Sequence, residues 1–282
     1  MKLKLMKTLL LKKESLLGIV LGIILIFIFI FLPLFFDYKP TETSLNIFQP
    51  PSKDCFLGTN DVGQDIMSRL IAGGRNSLLI ATGVSILSTL LSLILGSVAA
   101  LRGGMADRII MRLVDVLLVI PNLVIIILIS AYLTPSAIME IFIIALLIWT
   151  GGARAIRAQV LSLKERSHVY AAFSFGADRW YILYRHILPE LIPLAMTLIL
   201  QGARRAIFME AGLAFIGVVD PNVVSWGSMI SHALQFYYLE VWKWWLLPVG
   251  GALALTMLSF SLVSYVMEEI VLPQSGGKDI DA

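Results

Sequence analysis

Residues 15–36 read SLLGIVLGIILIFIFIFLPLFF, 22 consecutive positions without a charged side chain. A helix rises about 1.5 Å per residue, so about 20 apolar residues cross the ~30 Å hydrocarbon core of a bilayer. The first 13 residues hold five lysines. A secretory signal also begins with a basic end, but its apolar core is only about 7–15 residues and closes on small residues. This run is longer and ends on Pro33 and a pair of phenylalanines, which reads as a retained membrane anchor.

The composition points the same way. Hydrophobic residues make up 58% of the 282 and charged residues 15%, against roughly 45–50% and about 25% in an average soluble chain. A soluble domain so composed would leave large apolar patches in water. Disorder, a collagen repeat and a disulfide scaffold are excluded by the same figures. Cys55 is the single cysteine, so no internal bridge can form.

Five further apolar runs follow, at 78–101, 113–133, 136–152, 191–218 and 244–266. With the anchor they make six spans and an all-α integral membrane fold. Thr134 and Pro135 would make a tight hairpin between the third and fourth. An even number of spans puts both termini on one side, and lysine and arginine choose that side. With the termini in the cytoplasm, 15 of the 22 basic residues fall inside and five outside. The expected organisation is a cytoplasmic end and first span over 1–36, an external segment over 37–76, a five-helix core over 77–273 and a cytoplasmic tail over 274–282. A cytoplasmic segment at 151–190 lies within that core. A second external segment, about 218–243, is rich in tyrosine and tryptophan, as expected of an interfacial belt.

The catalytic motifs of common chemistries are missing. No G-x-x-x-x-G-K-[ST] phosphate loop, no H-E-x-x-H and no G-x-S-x-G occurs. The histidines His168, His186 and His232 fall on two sides of the membrane. An embedded enzyme therefore has little to work with.

Charges inside spans are the exception. Arg204, Arg205 and Glu210 lie in the fifth run, and a central arginine costs about 2.5–3.5 kcal/mol on insertion scales. Such residues face a bundle interior or a wet cavity. Either they neutralise one another, or their helix lines a path or gate. Arg112 and Asp115 have the spacing of a local ion pair, and Pro121 is expected to kink its span.

Residues 169–193 read VYAAFSFGADRWYILYRHILPELIP. Tyr170–Phe175 forms a short helical stretch, Gly176 permits a turn, and Asp178 can cap a second stretch ending at Pro189. Trp180, Leu183, Tyr184 and Ile187 recur at helical spacing, as in an amphipathic helix lying under the bundle.

The pattern A-A-x-x-x-G, ten residues, then I-L-P resembles the EAA loop of ABC importer permeases. LGTNDVGQDIMSRLIAGGRNSL, residues 57–78, is similar to a signature of dipeptide, oligopeptide and nickel permeases, with Asn60 and Gln64 in place of aspartate and arginine. MRLVDVLLVIP (111–121) resembles the third-helix entry of that family. MEAGLAFIGVVDPNVVSWGSMI (209–230) resembles its E-A-x-L-S-F-L-G-L-G…P-x-x-S-W-G-x-M stretch. The matches fall in order along nearly the whole chain beyond the first helix. The C-terminal end departs from the family, as do Arg204 and Arg205, where small or apolar residues are usual.

The resemblance implies the transmembrane domain of a type I ABC importer, as the second, C-type permease subunit. It implies a second homologous permease subunit, two ABC ATPase subunits and an external solute-binding protein, besides membrane lipid; nucleic acid has no place among them. No cofactor is expected in this chain, since ATP and magnesium belong to the ATPases. Residues 170–189 would dock on an ATPase through Tyr170, Ala171, Ala172, Gly176, Ala177 and Asp178, closed by Ile187, Leu188 and Pro189. Tyr170 stands where the family has glutamate. Gly58, Asp61, Gly63, Asp65, Pro221, Ser225 and Trp226 would receive the binding protein, while Arg204, Arg205 and Glu210 are candidates for the path or gate. The implied cargo is a di- or oligopeptide, with nickel or a metal chelate as the alternative. A self-sufficient channel or secondary carrier is the reading from a different class.

Overall fold

The computed structural model describes residues 13–35, 38–130, 132, 136–218 and 220–271. The Thr134–Pro135 hairpin, the basic N-terminal end and the C-terminal tail lie outside these residues. Five described helices are long and apolar enough to cross a membrane, or six if one bent pair counts as a single span.

Helix α1 (Lys13–Phe31) is apolar all round beyond Glu14 and buries only a stripe, Ser15, Gly18, Leu25 and Phe29. Lipid tails are as apolar as leucine, so helices associate in a bilayer through close packing and interhelical hydrogen bonds. Gly18 supplies both against the last helix. A Cβ there would sit 2.8 Å from Leu262 Cβ, and its carbonyl accepts from Ser259 Oγ at 2.8 Å. The far end of α1 is held by Arg75, whose Nε and Nη2 donate to the carbonyls of Phe29 and Ile30 at 2.8 and 3.1 Å.

The central helix α2 (Ile66–Arg102) has 37 residues, about 55 Å at 1.5 Å each. Asp65 caps it by accepting the Ser68 N–H at 2.8 Å. It therefore begins 12 residues before the apolar run at 78 and carries more than half of the 57–78 signature on its first turns. Helix α3 (Gly104–Val119) meets α4 (Asn122–Ser130) at a bend of 87°. Pro121 lies between them and lacks the N–H that would continue the helix, as the sequence predicts.

Helix α5 (Ala137–Lys164), capped by Ser136, runs past the expected end of its span at 152. Arg154 and Arg157 thus stand on a continuous helix rather than in a loop. This overturns the local pairing of Arg112 with Asp115. Asp115 instead pairs with Arg154 at 2.5 Å, and Asp107 takes a two-pronged bond from Arg157 at 2.6 and 2.7 Å. The neighbouring helix offers a better partner than the next turn of α3.

The short helices α6 (Ser167–Ser174) and α7 (Arg179–Ile182) lead through a π-helical turn, Leu183–Ile187, into α8 (Leu188–Phe215). The second stretch accordingly does not end at Pro189. Proline is tolerated in a first helical turn, where no N–H partner is needed, and the chain continues directly into the fifth span. Helix α9 (Trp226–Gln235) lies in the aromatic-rich segment after α8, and α10 (Leu246–Val271) completes the bundle. The main core joins α2, α5 and α8 through Ile80, Val84, Ile144, Ala206 and Ile207, all buried.

Candidate functional site

Three places hold the residues singled out by sequence. The first is the α6–α7 element. Gly176 adopts φ +80°, a left-handed conformation that favours glycine. It turns the chain between α6 and α7, and Asp178 caps α7 by accepting the Trp180 N–H at 3.0 Å. Val169, Ile182 and Ile187 are wholly buried against Ile156, Val160 and Leu163 of α5. Ala172 and Ala177 pack onto the same cluster, so their small size brings the element close to the spans.

The opposite side is bare. Phe175 is 92% exposed, and Tyr170, Trp180, Tyr181 and Tyr184 are exposed beside it; Trp180 and Tyr184 stack with ring centroids 6.4 Å apart. Ala171 is half-buried and Pro189 exposed. A tie that the motif does not reveal binds α6 to α8: Arg166 pairs with Glu190, and His168 Nε2 lies 3.2 Å from the other Glu190 oxygen. The single π-helical turn beside it belongs to a class of irregularity frequent at functional sites.

The second place is a cap at one end of the bundle, in which the signatures at 57–78 and 209–230 meet. Ser77 Oγ accepts the Trp226 N–H at 3.2 Å and donates to Glu210 Oε2 at 3.3 Å. Asn76 donates to the Val224 carbonyl at 2.7 Å, and the Trp226 indole to that of Leu70 at 3.1 Å. Trp226 is 0% and Ser225 3% exposed, so these side chains brace the cap from beneath. Gly58 and Gly63, at φ +71° and +74°, shape turns against the backbone of Gln49 and Ser44. Asp61 is half-buried and Pro221 exposed, and these face outward. The two departures from the family signature face each other: Asn60 Nδ2 donates to Gln64 Oε1 at 3.0 Å. An amide pair stands where an aspartate and an arginine would be.

The third place is α8 itself. Glu210 is 1% exposed and bound into the cap, whereas Arg204 Nη1 donates to Ser261 Oγ of α10 at 2.7 Å. Arg205 and Glu210 are about 140° apart around the helix at 3.6 residues per turn. Mutual neutralisation is therefore not how these charges are held. Glu210 instead shares a cavity of about 10 Å³ with Glu140, Asp220 and Ser225, an acidic convergence that spacing along the chain does not reveal. Among the described residues, no group of three histidine, cysteine or acidic side chains could hold a metal ion.

A bundle of five long apolar helices and one bent pair, with an aromatic-faced element running into α8, is the transmembrane domain of a type I ABC importer. The chain belongs to the family of binding-protein-dependent transport system inner membrane components, whose pattern matches residues 92–275. It is 35% identical over 93% of its length to a protein of Brucella suis biovar 1 (strain 1330) bearing the name peptide permease, covering 88% of that protein. It is also 33% identical to the oligopeptide transport system permease protein OppC of Bacillus subtilis (strain 168), over 93% of this chain and 86% of the relative. The dipeptide transport system permease protein DppC of the same organism is 31% identical over 80% of this chain and 70% of its own length.

Proposed function

We propose that this chain is the permease subunit of an ATP-driven importer of di- and oligopeptides. It works with a second permease subunit, two ATPase subunits that bind ATP and magnesium, and an external solute-binding protein. The peptide names of several relatives support the cargo, and none of those names favours nickel. The excess of basic residues in the segments that share a side with the termini supports cytoplasmic ends.

The observation that carries the reading is the α6–α7 element. Five exposed aromatics, held on a buried base, form a docking face that no described residue covers. ATPase closure pressing on that face is passed through the Arg166–Glu190 tie and the π-helical turn into α8. The spans then tilt between inward- and outward-facing states, a two-state element biased by ATP. The external cap receives the binding protein through its outward residues, Asp61 and Pro221 among them. Gly58, Gly63, Asp65, Ser225 and Trp226 hold that surface in shape. Arg204 and Arg205 border the path, and Glu210 braces the cap at its end.

Purification of the tagged chain from native membranes tests this directly. It is expected to bring ATPase subunits with it, and Phe175→Asp with Tyr170→Asp to release them. A chain that purifies alone and transports would contradict the reading.

A further inference from the structure

We propose that Arg205, together with the first turn of α4, forms a subsite at mid-membrane depth that takes the terminal carboxylate of a peptide in transit. The inference rests on the permease reading above and goes on to name what the path recognises.

Depth comes first. Arg205 lies ten residues before Phe215, the end of α8, which is about 15 Å at 1.5 Å per residue and half of the ~30 Å core. A guanidinium held there needs an anion or a wet surface. Among the described residues Arg205 makes no ion pair, and it is exposed. Its neighbours are otherwise occupied: Arg204 is tied to Ser261, and Glu210 is turned into the cap.

Two cavities adjoin at this side chain. One of about 480 Å³ is lined by Pro121, Asn122 and Phe208 together with both arginines. The other, of about 150 Å³, is lined by Thr89, Gly151, Gln201 and Arg205. Ile148 borders both, so the guanidinium stands at their junction.

The surroundings favour negative charge. The 87° break at Pro121 places the N-terminus of α4 on the larger cavity; Val124 N–H bonds back to the Pro121 carbonyl, which leaves the N–H groups of Asn122 and Leu123 at the positive end of the helix dipole. Broken helices at membrane depth use such half-helix ends to meet anionic substrate groups. In the smaller cavity Thr89 is 4% exposed, and its hydroxyl is buried without a hydrogen-bond partner. A guanidinium binds a carboxylate through two parallel N–H···O bonds. The same charge repels the ammonium end of a peptide, so the subsite distinguishes the two termini.

The test uses the complete complex in proteoliposomes with its binding protein, measuring uptake of trialanine and of trialanine amide. Both peptides meet the same binding protein in every variant, so its own preference cancels in the comparison of variants. The wild-type ratio of acid to amide uptake is expected to fall about tenfold in Arg205→Gln, and to stay within about threefold in Arg205→Lys, which keeps the charge. An unchanged ratio in Arg205→Gln would overturn the proposal. Failure of both variants to assemble would also overturn it, marking Arg205 as a partner for another subunit. Amidated Ala-Glu-Ala behaving like trialanine would overturn the terminal assignment in favour of any carboxylate. Wild-type complex that takes up none of these peptides would refute the peptide reading itself.

Discussion

Ser77 donates to Glu210 across 3.3 Å and thereby ties the central helix α2 to α8 beneath the cap. The same hydroxyl accepts the Trp226 N–H, so one small side chain joins the signatures at 57–78 and 209–230. Glu210 has its second oxygen buried without a partner, which makes it dependent on this bond. Buried polar groups cost most when left unpaired.

Replacing Ser77 by alanine removes both bonds while leaving Glu210 in place. The expected cost is about 1–3 kcal/mol, read as a lower midpoint of thermal unfolding of the purified complex. An unchanged midpoint would show that the cap does not rely on this residue.

Gly227 brings α9 against α8. A Cβ at this position would sit 2.7 Å from both Ala211 Cα and Ala214 Cβ, whereas one at Gly250 would meet nothing within 4 Å. Gly227→Ala is therefore expected to destabilise by about 1–3 kcal/mol through overpacking, and Gly250→Ala to match wild type. Thermal unfolding of the two variants side by side checks this, and equal midpoints would argue against the packing described.

Cys55 reports on topology. Partial burial pushes its thiol above the usual 9.0, and the carboxylates of Asp65 and Asp54 add to the shift. The neutral thiol is favoured, so the reactive thiolate is scarce at neutral pH and grows about tenfold per pH unit below the raised value. An impermeant maleimide should label intact cells slowly at pH 7 and markedly faster at pH 8.5. Labelling only after permeabilisation would reverse the orientation.

The spans were legible because an apolar run of bilayer length has few other uses, and the kink at Pro121 because the missing N–H is local. Their ends were harder. Hydropathy marks where lipid stops, and nothing requires a helix to stop there; α2 and α5 both continue into polar sequence. Asp65 followed by Ser68 was a readable cap signal for the start of α2. The Arg112–Asp115 spacing misled because a pattern on one helix says nothing of Arg154 on another.

The motifs marked the positions of the α6–α7 element and the cap. What they did not tell was direction. Trp226 and Ile187 belong to surface motifs by resemblance, yet each is buried and supports its surface from below. Glu190, paired with Arg166 and His168, lies 24 residues from Arg166 and carries no signature. Such ties depend on the folded path of the chain and leave no periodic trace.

The central claim is that the α6–α7 element transmits ATPase motion to the spans, and Gly176→Val tests it most directly. Nothing lies within 4 Å of a Cβ there, but φ is +80°, where a β-branched residue is strained by about 1–2 kcal/mol. The turn, rather than the packing, is altered. In proteoliposomes carrying the complete complex, ATP hydrolysis and peptide uptake are measured in parallel. The account predicts normal membrane insertion with uptake lost relative to ATP hydrolysed. Uptake per ATP equal to that of wild type would contradict it.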